Sequence, residues 1–198
     1  FKYYPELRDV KFKFSNLGAA TVGRYDSKTK TIEVNDALLY STRKAERNLQ
    51  HEVQHVIQHL EGFAKGGNEF QVRGEVKKKF SEVIKQIRQL RSEGKEDEAK
   101  AIVEKNRGLY NAYTKNDDYN SYKSLAGEVE ARNVQERMNM TPEERRKTLA
   151  ESTEDVARKD QIFLGVGDVS FSLRDMADGK ESGVADMAED LKSLNTPD

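Results

Sequence analysis

The stretch LQHEVQHVIQHLEG, residues 49–62, contains every histidine of this chain: His51, His55 and His59. Apolar side chains recur through it at intervals of three and four, which is the spacing of one face of an α-helix. The pattern begins upstream, and a glycine closes the stretch, as is common at helix C-termini. We therefore predict an amphipathic helix over residues 42–60.

Residues 51–55, HEVQH, follow the pattern His-Glu-x-x-His. On a helix, residues four apart lie one above the other, so His51 and His55 can direct two imidazole nitrogens at one zinc ion. Glu52 is rotated by about 100° from His51 and is expected to reach a water molecule beside the ion. The metal lowers the pKa of such a water, and the carboxylate takes its proton. The motif predicts zinc-assisted hydrolysis, with Glu52 as the catalytic base.

A catalytic zinc site needs a third protein ligand, and the chain offers no cysteine and no further histidine of its own outside this stretch. The third ligand must therefore be a carboxylate. Glu61 follows the motif, but the helix continues to residue 60, which would direct Glu61 away from the ion. The segment SLAGEVEARNVQ, residues 124–135, offers Glu128 and Glu130 on a second predicted helix. These two glutamates are rotated by about 200° from one another, so only one of them can be the ligand.

Composition narrows the classes of function. Charged residues make up 35% of the 198 residues, the net charge is −1, and there are no cysteines. The short basic runs at 77–79 and 145–147 are balanced by neighbouring acids, so we expect no nucleic-acid partner. No apolar run is long enough to span a membrane, and no signal peptide is recognisable, so we expect no membrane partner and favour an intracellular location such as a host cytoplasm. Because the chain starts at Phe1 rather than Met, we expect a processed chain or a piece of a longer protein.

The N-terminal part is predicted to form strands. LRDVKFKF, residues 7–14, alternates apolar and charged residues, as a half-buried strand does, with Val10, Phe12 and Phe14 on one face. Two strand-like runs flank the turn-forming DSKTK within residues 21–35, which predicts an antiparallel hairpin.

The remaining chain is predicted to be helical. An apolar stripe interrupted at Ser92-Glu93-Gly94 predicts a helical hairpin over residues 75–116. Another helix is expected over residues 119–138, and Thr141 begins a capping-box sequence. From about Gly165 the composition is that of a linker, so we predict a domain over residues 1–163 with the helical hairpin as an insertion, and a weakly ordered tail over 164–198.

Taken together, HEVQHVIQHLEGFAKGGN, LAGEVEARNVQERMNMTPEERR and TEDVARKDQI resemble the metallopeptidase domains embedded in large polyvalent proteins of phages and mobile elements. The resemblance covers roughly residues 1–163. It implies an α+β fold of the zincin-like, glutamate-ligand kind: a small N-terminal antiparallel sheet, a metal-binding helix, and a second helix that supplies the glutamate. In related zincins that glutamate lies in Glu-x-x-Ala, which matches Glu128 and Ala131 and favours Glu128 over Glu130. The position four residues later, acidic in many such enzymes, is Arg132 here.

The same resemblance implies how a substrate would be held. An edge strand beside the cleft would take up a peptide as an added strand, and TKTIEVN, residues 29–35, is our choice for it. A tyrosine often stabilises the oxyanion in such sites, and Tyr122 is our candidate, with Tyr119 as the alternative. The GFAKGG segment, residues 62–67, either shapes the cleft wall or only ends the helix.

Three hypotheses of function remain at this stage. The first is a zinc-dependent metallopeptidase, with His51, His55 and Glu128 as metal ligands and Glu52 and Tyr122 as catalytic residues, that acts on a protein or peptide substrate. The second is a catalytically silent zincin-fold module that serves binding or assembly within a larger phage or mobile-element polyprotein. The third is self-processing, in which the substrate lies in other parts of the parent chain.

Overall fold

The computed structural model describes residues 2–19, 21–63, 66–67 and 69–164. The chain is α+β, with one small sheet and a majority of helical residues, as predicted. It divides into two compact units. Among the described residues, the first unit spans residues 2–66 and Gly127–Asp155, and the second spans Gly67–Ala126 and residues 156–164.

The first unit contains a three-stranded sheet. Its strands are β1 (Lys11–Ser15), β2 (Gly23–Asp26) and β3 (Thr31–Asn35), in the order β1-β3-β2. Strands β2 and β3 form the predicted antiparallel hairpin, whereas β1 pairs with β3 in parallel. The prediction of an antiparallel sheet is therefore wrong for β1, and the sheet is mixed.

The strand order also corrects the choice of TKTIEVN as the strand that would take up a peptide. Most of that segment is β3, which lies in the centre of the sheet and is bonded on both sides. Glu33 of β3 illustrates this, because it forms ion pairs with Lys13 of β1 and Arg24 of β2. A central strand has no free edge for an added strand.

Helix α1 (Thr42–Glu61) packs against the sheet and forms the core of the first unit with it. Ile32 and Val34 of β3 and Val56 of α1 are buried there, as the alternation in the hairpin predicts. The helix ends where the sequence predicts, because Gly62 adopts the left-handed conformation at φ 66° and donates its N–H to the Gln58 carbonyl.

Strand β1 differs from its prediction in burial. Val10 is buried, but Phe12 and Phe14 are 53% and 55% exposed, so the predicted burial is wrong for these two residues. The predicted start at residue 7 is also wrong, because Pro5–Asp9 forms a short 3₁₀ helix. Both residues lie at the edge of the sheet, where they line a groove of about 200 Å³ beside the beginning of α1. Helix α1 therefore leaves this edge of the sheet partly uncovered.

The C-terminal part of the first unit consists of two helices, of which α6 (Ala126–Arg137) starts at the unit boundary and α7 is Pro142–Lys147. Helix α6 is joined to α1 by a hydrogen bond of 2.8 Å from the Gln135 side chain to the Arg47 carbonyl. Helix α7 begins with the predicted capping box of Thr141 and Glu144.

The second unit is helical. Its helices are α2 (Glu69–Ser92), α3 (Glu96–Lys105), α4 (Arg107–Lys115) and α5 (Asp118–Lys123). The break after Ser92 agrees with the predicted hairpin, but the first helix starts six residues earlier than expected and the second arm is divided at Asn106. The predicted apolar stripe is its core, with Phe80, Val83, Ile84 and Ile87 buried.

The single helix predicted over residues 119–138 is wrong, because the chain forms α5 and α6 with a break at Ser124-Leu125. The reason is a pairing with a distant segment. Ser124 accepts a hydrogen bond from the Ile162 N–H, and Ala126 donates one to the Ile162 carbonyl. These bonds take the place of helical ones, and Leu125 is fully buried at the break.

The predicted tail lies outside the described residues, except for Leu164. Within the described part of the chain, no helix combines the length and the apolar character needed to span a membrane.

Candidate metal centre

Two helices of the first unit supply the residues of a candidate metal site. His51 and His55 lie one turn apart on α1, and their Nε2 atoms are 3.1 Å apart. Glu128 lies in the first turn of α6, where its oxygens are 3.3 Å from His51 Nε2 and 3.4 Å from His55 Nε2. The structure thus brings together the three side chains that the sequence singled out as ligands.

These separations suit a tetrahedral metal ion. Ligand atoms at 2.0–2.1 Å from a zinc ion, arranged tetrahedrally, are about 3.3 Å from one another. The distance of 3.1 Å between the two nitrogens lies close to that value, as do the distances of 3.3 Å and 3.4 Å that join each nitrogen to a different oxygen of Glu128. Among the described residues, this His-His-Glu group could therefore bind a metal ion.

Burial adds an electrostatic reason for a cation. Glu128 is only 2% exposed, and a buried carboxylate is unfavourable unless positive charge or hydrogen bonds compensate it. Burial lowers the pKa of His55, although the nearby Glu128 opposes this effect. At neutral pH the ring is thus uncharged, which keeps a nitrogen lone pair available for a metal.

Glu52 is a buried carboxyl group beside the ligands, with 4% exposure. Burial raises its pKa to about 7; the Glu128 charge adds to this effect and His51 opposes it. A carboxyl group with this pKa can take up and release a proton near neutral pH. Its position one residue after a ligand makes it a neighbour of the metal group rather than part of it.

Glu52 faces strand β2 at a point where the strand has no side chain. A Cβ atom placed on Gly23 would be 2.8 Å from Glu52 Oε1 and 2.2 Å from Asn48 Oδ1. Such separations are too short for real atoms, so a side chain at this position would force Asn48 and Glu52 to shift.

A second glycine adjoins the ligands themselves. A Cβ on Gly66 would be 2.4 Å from His55 Cε1 and 2.5 Å from Glu128 Oε1. In the GFAKGG segment, Gly62 ends the helix, and the backbone of Gly66 lies close to His55 and Glu128.

The third histidine and the two alternative glutamates lie outside the group. Glu61 is exposed and accepts a hydrogen bond from the Tyr4 hydroxyl. His59 is exposed and contacts the Tyr25 ring edge-on, at 6.3 Å between ring centroids. Glu130 accepts a hydrogen bond from Gln58 Nε2 at 2.7 Å.

Sequence reasoning missed Gln58, the residue that contacts the back of the site. Its Oε1 is 2.9 Å from His55 Nδ1, the ring nitrogen directed away from Glu128. Arg132, four residues after Glu128, pairs with Asp155. The signal for Gln58 was its position three residues after His55, on the same side of the helix.

The candidate oxyanion residues belong to the second unit. Tyr122 is partly buried and packs against the core of that unit, and Tyr119 is 55% exposed. Their catalytic roles stay predictions.

Comparison of the chain with protein-family models, with curated proteins and with solved structures gave no match in any of the three.

Proposed function

We propose that this chain is a zinc-dependent peptidase of the His-Glu-x-x-His type. One observation carries the proposal: candidate ligand atoms of His51, His55 and Glu128 lie within 4.8 Å of one another, and the buried Glu52 is not one of this group. A structural zinc site is usually closed by four protein ligands, whereas a catalytic site has three and an open position.

The donor set favours zinc over other common ions. Two imidazoles and one carboxylate are a typical protein contribution to catalytic zinc, with one further position left for water or substrate. Calcium and magnesium prefer sites made of oxygen atoms alone.

The chemistry divides between the ion and Glu52. When bound, zinc would polarise the scissile carbonyl and lower the pKa of a coordinated water molecule. Glu52 accepts a proton from the water while the oxygen of the water bonds to the carbonyl carbon. Glu52 later delivers a proton to the leaving amine as the C–N bond breaks. A carboxyl group with a pKa near 7 suits both transfers, although the cation itself will lower that pKa.

The peptide would extend along β2 rather than β3. Strand β2 is at the edge of the sheet and its Gly23 adjoins Glu52. Val22 accepts a hydrogen bond from Asn35, so the alternation of an antiparallel pair directs the backbone groups of Gly23 and Tyr25 away from β3. These groups can bind an extended substrate as an added strand.

Metal content and cleavage test the two parts of this proposal. The purified protein should contain about one zinc per chain. Glu128→Ala should lose it, whereas Glu136→Ala, an exposed position on the same helix, should keep it. Glu52→Gln should retain zinc and lose cleavage of a peptide mixture that presents all residue pairs, read by mass spectrometry.

The results also separate the peptidase from the other hypotheses. Zinc-loaded protein that cleaves neither the mixture nor its own chain would contradict the peptidase and favour the silent binding or assembly module. Cleavage confined to its own chain would favour self-processing.

A further inference from the structure

Gln58 is a buried polar side chain behind the metal group with hydrogen bonds at both ends of its amide. It is 2% exposed, and each end of its amide has partners. Its Nε2 donates to the Gly127 carbonyl at 2.8 Å and to Glu130 Oε2 at 2.7 Å, and its Oε1 lies 2.9 Å from His55 Nδ1.

These partners fix which way round the amide lies. The Gly127 carbonyl and the Glu130 carboxylate are acceptors, so the NH₂ group with its two hydrogens must face them. The amide oxygen must then face His55. An oxygen only accepts, so the hydrogen of this contact comes from His55 Nδ1.

We propose that Gln58 is a positioning residue that holds His55 in the Nδ1–H tautomer, with the Nε2 lone pair directed at the metal position. A neutral imidazole carries one hydrogen, and a hydrogen at Nδ1 leaves Nε2 free to bind. The Nε2 atom is the one that lies 3.1 Å from His51 Nε2 and 3.4 Å from Glu128.

The same amide positions the second helix. Gly127 directly precedes the ligand Glu128, and Glu130 follows it by two residues. One side chain of α1 thereby fixes both the ring of its own ligand and the turn of α6 that carries the carboxylate. The two glutamates of α6 have different roles: Glu128 faces the metal position, and Glu130 orients the amide behind it.

This inference rests on the metal-binding half of the proposed function and is independent of peptide cleavage. Partners behind a metal ligand typically contribute about 10- to 100-fold to metal affinity. We expect an effect of that size for Gln58.

The first measurement uses the unmodified, metal-free protein. A long-range ¹H–¹⁵N correlation spectrum at about pH 8 shows which ring nitrogen of each histidine carries the hydrogen. The spectra of His59→Gln and His51→Gln assign two of the three rings, so the third is that of His55. His55 should have its hydrogen at Nδ1. A hydrogen at Nε2 would overturn the inference, whatever any variant does.

The second measurement compares two glutamine variants of α1. Gln58→Met keeps the length of the side chain but removes the amide oxygen and the NH₂ group, and with them all three hydrogen bonds. We expect it to shift His55 towards the Nε2–H form and to lower zinc affinity about 10- to 100-fold, measured by competition with a chromophoric chelator. Gln50→Met, at an exposed position on the same helix, should change neither property. Identical spectra and affinities for the two variants would refute the role of Gln58.

Gln58→Glu provides a test if the methionine variant does not fold. A glutamate keeps an oxygen that can accept from Nδ1–H but loses the two donated hydrogen bonds. His55 should therefore keep its hydrogen at Nδ1, and a shift to Nε2–H would contradict the proposal. Both measurements can succeed while a peptide mixture remains uncut, so failure of the peptidase and failure of this inference are distinguishable.

Discussion

Replacing Glu52 by glutamine is expected to stabilise the metal-free protein, and to do so more strongly as the pH rises. Burial raises the pKa of this carboxyl group from 4.5 to about 7. Between these values the folded state holds a proton that the unfolded state has already lost. The free energy of unfolding therefore decreases as the pH rises through this window and levels off above about pH 7.

The size of the effect follows from the same two pKa values. One pKa unit corresponds to about 1.4 kcal/mol, so the full cost of ionising the buried group is about 3 kcal/mol. About 2 kcal/mol of it should develop between about pH 5.5 and about pH 8. Glutamine has nearly the same shape and does not ionise, so Glu52→Gln lacks this contribution.

The assay is urea unfolding followed by circular dichroism, with a chelator present, at several pH values. The quantity of interest is the difference in unfolding free energy between variant and wild type, because other titrating groups cancel in it. Glu46→Gln, an exposed position on the same helix, serves as the control and should follow the wild type. A difference for Glu52→Gln that stays constant, or that shrinks as the pH rises, would refute the argument from burial. Zinc should weaken the pH dependence, because a nearby cation favours the ionised carboxylate.

Three further substitutions probe other parts of the first unit. Gly66→Ala should reduce zinc affinity at least about 10-fold, measured by competition titration, because its methyl group would overlap the proposed ligands His55 and Glu128. Gly74→Ala is the control and should not change the affinity, because the space around its Cβ is open. Gly23→Ala should keep zinc but slow peptide cleavage, because its methyl group would displace the buried Glu52 carboxylate that we propose as the catalytic base; unchanged kcat/KM would contradict this role of the contact between Gly23 and Glu52. Ile32→Ala should lower the unfolding free energy by about 2–5 kcal/mol, and Phe12→Ala, at a half-exposed position, by much less; equal losses in urea unfolding would be evidence against the described core.

The elements that could be predicted from sequence are those specified by neighbouring residues. Helix α1 was predicted to within a residue at its C-terminal end, because the apolar spacing and Gly62 act locally. The hairpin of β2 and β3 was predicted for the same reason. The grouping of His51 and His55 follows directly from the helical repeat.

The features that sequence did not predict depend on distant segments. The parallel pairing of β1 with β3 is a choice among strand orders that alternation alone does not specify. The break before α6 depends on Ile162, which lies 37 residues after Leu125. The role of Gln58 depends on how closely α6 approaches α1, because its partners Gly127 and Glu130 follow it by about 70 residues.

The candidate metal group joins two parts of the chain that are far apart in sequence. Glu128 follows His55 by 73 residues, and almost the whole of the described second unit lies between them. A bound ion would therefore act as a reversible cross-link that closes a long loop, and a covalent link across a loop of this length contributes about 4 kcal/mol in the chain-entropy model. The availability of metal would then determine the stability of the folded first unit as well as the proposed peptide cleavage. A chelator would lower that stability in the same step in which it abolished cleavage.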